Sequence, residues 1–259
     1  MRRERGRVFG EVADVYDDVR PGYPPELVDT VLAAVDSPVA TAVEPGAGTG
    51  KATVALARPG LLITCVEPDP AMAGVLAARF AARPEVTVEV QRFEDWSPPD
   101  GGVDLLYCAQ AWHWIDAPTR CRLAYRALRP GGVIALFGHA YLFADDGLRE
   151  RVEAVYHRLA PELISEPALS DREPMRQWFA VELAGTDLFT GVSAHVFQSL
   201  VRFPTERYLA LAGTYSAQRM LDADLRERVF ADVARTIDRH GGYVDVELST
   251  VLAVAYRAA

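Results

Sequence analysis

The stretch Thr41–Ala57, TAVEPGAGTGKATVALA, constrains this chain more than any other. A short apolar run, Ala40–Val43, leads to Glu44 and Pro45. Gly46, Gly48 and Gly50 then fall at alternate positions, and a helical pattern starts at Lys51. A buried strand that passes through glycines into a helix opens a βα unit. The glycines let a ligand approach the backbone closely, and the start of the helix offers free amides.

The pattern repeats along the first half of the chain. Apolar runs at Leu61–Val66, Val103–Ala109 and Val133–Phe137 read as strands covered on both faces, and Val86–Val90 alternates as a strand. Helical spacing lies between them, at Glu26–Val35, Ala71–Ala82 and Ala117–Leu128, the last stopped by Pro130-Gly131-Gly132. Five such units predict a doubly wound, Rossmann-like α/β fold around a mostly parallel sheet. From about Tyr141 to Ala184 the chain reads as helices with irregular joins. Val192–Phe203 and Tyr243–Ala258 read as long strands, and Leu221–His240 as a helix ending at Gly241-Gly242. These strands complete a seven-stranded sheet with an antiparallel edge addition, and the helices form a lid over the ligand face. One domain is expected, in four stretches: an N-terminal arm and first helix (1–36), a cofactor-binding core (37–140), a helical insertion (141–191) and C-terminal strands and helices (192–259).

Charge and cysteine usage exclude several functions. The 259-residue chain carries a formal net charge of −9. An acidic body gains nothing from counterion release, so no nucleic-acid partner is expected. Cys65, Cys108 and Cys121 are odd in number and show no CxxC pattern. Buried inert thiols are expected, with neither disulfide nor metal site, in a reducing cytoplasmic compartment. The basic start MRRERGRVFG has no apolar run behind it and reads as a solvated tail rather than a secretory leader. No stretch is apolar for long enough to span a bilayer.

The glycine spacing and its neighbouring acid select a cofactor. Nicotinamide enzymes typically show G-x-G-x-x-G around a pyrophosphate, but here the spacing is G-x-G-x-G behind Glu44. A carboxylate repels a phosphate and attracts an ammonium, which points to S-adenosylmethionine. Glu67, ending the next strand in CVEPDP, is placed to accept both ribose hydroxyls. Pro68 and Met72 are candidates to flank the adenine.

VEPGAGTGKAT, VEPDPAM, FEDW, VDLLYCAQAWHWID and ALRPGGVIALF occur in an order and spacing that resemble the class I S-adenosylmethionine-dependent methyltransferases. The nearest branch is the small-molecule one, akin to the ubiquinone/menaquinone and trans-aconitate methyltransferases. FGEVADVYDDVRPGYP resembles its N-terminal arm and GTYSAQRML its C-terminal part, so the resemblance covers nearly the whole chain. It implies that Glu44 and Gly46 lie near the methionine moiety and that Ala47, Gly48 and Gly50 floor the loop. It places Phe93 and Glu94 at the adenine edge, and Ala109 and Gln110 beside the methionine carboxylate or the methyl group. Tyr16 and Arg20 close over the cofactor, Arg20 as partner of the carboxylate. Many relatives carry Gly-Asp before the adenine-edge position, where this chain has Gln91-Arg92. Two alternatives follow: Glu94 replaces the aspartate contact, or the adenine amino group faces water.

The aromatic segment Gln110–Ile115, QAWHWI, is expected to line an acceptor pocket through Trp112 and Trp114, with one of the two packing under the sheet instead. His113 and His139 stand near strand ends and are the candidate general bases. His157, His195 and His240 are expected to lie away from those ends. No Asn-Pro-Pro-Tyr or Asp-Pro-Pro-Tyr follows the fourth strand, which disfavours methylation of nucleic-acid amino groups. The expected activity is in-line methyl transfer to a small-molecule metabolite or natural-product intermediate, without a metal. The alternative is a protein of the same fold that binds the cofactor without transferring methyl, as a pericyclase-type catalyst or a sensor.

Overall fold

The computed structural model describes residues 13–35, 38–163 and 172–259, apart from the side chains of residues 14 and 172–176. The basic N-terminal stretch, part of the arm and part of the helical insertion lie outside them. Seven strands form one mixed sheet in the order β3-β2-β1-β4-β5-β7-β6. They are β1 (Thr41–Pro45), β2 (Leu62–Val66), β3 (Val86–Glu89), β4 (Val103–Ala109), β5 (Leu128–Phe143), β6 (Phe189–Pro204) and β7 (Tyr243–Arg257). β1 pairs in parallel with β2 and β4, β2 with β3, and β4 with β5. The order reverses beside β1, so the crevice at the carboxyl ends of β1 and β4 is the switch point where such sheets bind ligands.

The described residues fall into two compact units. Among the described residues, a sheet unit comprises 21–35, 38–139, 173–197 and 250–259; a helical unit comprises 13–20, 140–163, 172 and 198–249. Each is assembled from separated stretches, so these units do not follow the linear partition expected from sequence.

In the sheet unit, alternation along each strand divides the apolar residues between two cores. Ala42, Ile63, Cys65, Leu105, Tyr107, Val133, Ala135 and Phe137 face one core. It is covered by α2 (Pro25–Ala33), α3 (Lys51–Leu56) and α4 (Pro70–Arg79) through Leu27, Val31, Leu56, Leu76 and Phe80. Val43, Val66, Leu106, Cys108, Ile134 and Leu136 face the other. There α5 (Arg120–Ala127) and α7 (Arg172–Ala184) supply Ala124, Ala127, Phe179 and Leu183. Both faces are covered, which is why the strands read as unbroken apolar runs. Each fully buried leucine contributes about 1.5–3 kcal/mol.

The helical unit contains α1 (Ala13–Val19), α6 (Asp146–Leu159), α8 (Thr205–Ala212), α9 (Ser216–Met220) and α10 (Ala223–Asp238). Val152 and Val155 of α6 meet Val229, Val233 and Ile237 of α10, with Leu211, Val244 and Val246 completing that core. Acidic caps start its long helices. Asp145 accepts from the Leu148 amide at 2.8 Å and Asp222 from the Asp224 amide at 3.0 Å.

Several boundaries differ from expectation. α5 ends at Ala127, and the Pro-Gly-Gly stretch expected as a helix stop lies inside β5. β5 also runs on to Phe143, where helix was expected, because the alternate residues of its extension still find apolar partners. Cys65 and Cys108 are buried as expected. Cys121 is only partly buried, because it lies on the flank of α5 with its Sγ 3.6 Å from the Glu182 carboxylate.

Candidate cofactor and acceptor site

Gly46, Gly48 and Gly50 adopt φ of 66°, 57° and 86°, the left-handed region that side chains disfavour. A Cβ on Gly46 would stand 2.4 Å from the Ala111 Cβ, and one on Gly50 2.4 Å from Leu76 Cδ1. These two glycines let the loop close against the end of β4 and against α4. Gly48 is different: a Cβ there would meet nothing within 4 Å. Its turn leaves open space beside the backbone, as a bound nucleoside requires.

Glu67 pins that turn to the end of β2. One carboxylate oxygen accepts from the Gly48 amide at 2.8 Å and the other from the Asp69 amide at 2.8 Å. Burial raises its pKa, and the two amides offset part of that shift. Each oxygen keeps lone-pair capacity for a further donor. Asp69 caps α4 through the Ala71 and Met72 amides at 2.9 and 3.2 Å, which fixes Met72 as a buried residue beside the exposed Pro68.

Glu44 lies beneath the loop. It shares the strand face of Ala42, so its carboxyl turns under α3 and accepts from Thr53 Oγ1 at 2.6 Å. It is 1% exposed, and burial lifts its pKa to about 8 against the Thr53 bond. The Tyr107 hydroxyl lies close enough to act on it electrostatically but misses hydrogen-bond geometry. Burial thus favours the protonated form of Glu44.

At the end of β4, Ala109 leads into Gln110, the one described non-glycine residue with positive φ, at 60°. Such a conformation costs of order 1 kcal/mol and is held by its surroundings. The Gln110 amide donates to the Phe137 carbonyl at 2.9 Å, and its side chain lies over Gly138. A 3-10 turn, Trp112–Trp114, follows. Trp112 has no exposed surface, so it is the tryptophan that packs in the core, and the pocket-lining expectation for it is corrected. Trp114 is 42% exposed. His113 is solvent-facing but packs against Trp114 at 4.6 Å and Trp178 at 6.4 Å between ring centroids. Burial among these rings, then the charge of Arg120, lowers its pKa. The adenine-edge candidates form another 3-10 turn, Phe93–Asp95. Phe93 is buried on Trp96, and Glu94 pairs with Arg92 and accepts from the Asp116 amide at 3.0 Å.

His139 is buried, with Nδ1 2.8 Å from Thr250 Oγ1 and its ring stacked on Tyr23 at 4.6 Å. In the helical unit, Arg20 donates from Nε to Thr214 Oγ1 at 2.9 Å. The rings of Tyr16, Tyr215 and Tyr141 surround its guanidinium at 4.9, 4.7 and 5.7 Å.

Sequence reasoning missed the support beneath the aromatic turn. Arg120 is buried and holds Glu182 by two bonds of 2.6 and 2.7 Å, while Nη1 donates to the Trp112 carbonyl at 3.1 Å. Trp178 covers the same guanidinium at 5.3 Å. The i, i+4 pairs Trp178–Glu182 and Phe179–Leu183 on α7 were the available signal.

A doubly wound sheet with a glycine loop after its first strand and an acid ending the second defines a nucleoside-binding α/β protein. Residues 43–136 match the methyltransferase-domain family. An uncharacterized methyltransferase of Mycobacterium tuberculosis (strain H37Rv) is 38% identical over 135 residues, 52% of this chain and 53% of that protein. An uncharacterized methyltransferase of Schizosaccharomyces pombe is 28% identical over 97% of this chain and 96% of its own length. Among solved structures, a proposed type II methyltransferase from Anaeromyxobacter dehalogenans has the same fold. Its TM-score is 0.62 at 23% identity, over 92% of this chain and 97% of that one. The match to the mycobacterial relatives spans about half their length. The chain is thus similar to methyltransferases in sequence over its core and in fold over most of its length.

Proposed function

We propose that this protein is a methyltransferase that transfers the methyl group of S-adenosylmethionine to a small-molecule acceptor. The observation that carries the proposal is the joined glycine loop and Glu67, with the open face at Gly48 and Glu67 lone pairs available for ribose hydroxyls. When bound, the cofactor supplies an electrophilic methyl group on a sulfonium. This chain's own residues orient and exclude water. Glu67 holds the ribose, and the Gly46–Gly50 backbone takes the methionine side of the nucleoside. Phe93, Glu94, Pro68 and Met72 are assigned to the adenine, with Phe93 at its edge by backbone amide and Glu94 by side chain. Ala109 and Gln110 set the end of β4 beside the methionine end of the cofactor. His113, Trp114 and Trp178 offer an aromatic surface that favours a cationic methyl donor and an acceptor of metabolite size. A sulfonium at such a site needs alignment more than proton chemistry.

His113 and His139 remain the candidate bases; His139 Nδ1 is engaged by Thr250 Oγ1, and the His113 ring packs on Trp114. A positioning role accords with that. His113→Asn and His139→Asn are expected to slow single-turnover transfer by less than about tenfold; a loss of about 10²-fold or more in either would assign it as the base. The proposal is tested by titrating S-adenosylhomocysteine calorimetrically and then screening acceptors for its formation from S-adenosylmethionine. Binding with no product across metabolite classes would favour a cofactor-binding protein without transfer. No binding would remove the cofactor assignment.

A further inference from the structure

A groove of about 490 Å³ runs between α6 and α10 in the helical unit. Arg151 and Arg158 line it from α6, Arg235 from α10 and Arg239 from just past the end of α10. Asp232 is the one carboxylate in its lining. Four guanidiniums against one carboxylate leave three positive charges in a groove of a chain whose formal net charge is −9. Gathering like charges costs repulsion unless an anion relieves it. Arg151 and Arg158 stand i, i+7 on α6, and Arg239 follows Arg235 by four residues, so all four line one groove.

The arginines are also held in place. Asp232 bonds Arg158 Nη2 at 2.5 Å and pairs as well with Arg235. Arg151 Nη1 lies 2.8 Å from His240 Nδ1, and His240 Nε2 lies 3.0 Å from Asp145 Oδ2. A guanidinium only donates, so Nδ1 accepts and the ring proton sits on Nε2, facing Asp145. Three of the four side chains are thus oriented in advance, which lowers the entropy lost on binding.

We propose that this groove binds a phosphate-bearing small molecule through a diphosphate-type group. Such a group carries about three negative charges at neutral pH, matching the surplus, and its oxygens suit the paired donors of arginine. The cavity is of a size that holds a metabolite. The site is separate from the cofactor site and does not rest on the methyltransferase assignment.

The test is calorimetric titration with inorganic pyrophosphate at about 0.15 M salt. A dissociation constant below about 1 mM is expected. Arg151→Gln with Arg239→Gln is expected to weaken it at least about tenfold while S-adenosylhomocysteine affinity is kept, showing an intact fold. Arg122→Gln with Arg126→Gln, two exposed arginines on α5, is expected to leave it unchanged. Three results would overturn the proposal: no binding below about 10 mM, equal loss in the α5 variant, or citrate binding as tightly as pyrophosphate.

Discussion

Glu67 and Glu44 are both buried acids at strand ends, and their surroundings give them different work. Glu67 already spends one lone pair on each of two amides and keeps others turned toward the loop. Glu67→Ala is expected to weaken S-adenosylhomocysteine binding by about 2–4 kcal/mol, the scale of two charge-assisted bonds. Wild-type affinity by calorimetry would remove Glu67 from the site. Glu44 affects stability through protonation. Its folded-state pKa of about 8 lies above the unfolded value, so the folded chain prefers the protonated form. Its stabilisation is complete below about pH 4.3, falls as the unfolded carboxyl ionises, and is lost as pH rises through about 8. Glu44→Gln stays neutral, and its stability relative to wild type is expected to rise between pH 5 and 8 by on the order of a few kcal/mol. Denaturant melts at both pH values measure this; a constant difference between the two proteins would show that Glu44 does not titrate as assigned.

At the scale of elements, the aromatic turn after β4 is held by two helices that follow it in sequence. Arg120 of α5 reaches Glu182 of α7 and the Trp112 carbonyl together, so a single guanidinium fixes the turn that presents His113 and Trp114. Removing one partner of a largely buried pair leaves a charge without compensation. Glu182→Ala is expected to cost about 3 kcal/mol of stability, and Arg120→Met with Glu182→Leu to recover most of it. An equally unstable double variant, by chemical denaturation, would show that the geometry of the pair itself is needed. The strand and helix order of this region was legible in the sequence because both faces of the sheet are covered and alternation was not required. The ends of β5 were not. Proline and glycine at 130–132 are ordinary helix stops, but pairing with β4 at Leu128 and Val133 carries the strand across them.

For the whole molecule, the chain passes from helical to sheet unit between Arg20 and Pro21. The resemblance implies a role for the arm over the cofactor. Hydrogen exchange in Ala13–Tyr23 is expected to slow when S-adenosylhomocysteine binds, together with exchange in Gly46–Gly50. Protection confined to the glycine loop would exclude the arm from the site.

The sequence by itself determined the doubly wound frame with its glycine loop. Glycine spacing, strand-end acids and apolar runs are local signals, because backbone conformation and strand burial are written within a few residues. Only the tertiary structure decided which tryptophan packs inside, that Glu44 is buried beneath the loop against Thr53, and that Arg120, Glu182 and Trp178 form the base of the aromatic turn. It also decided that four arginines of two distant segments share one groove. These are matters of which side chains meet across long sequence separations. Burial and charge at such meetings depend on partners that no local pattern names.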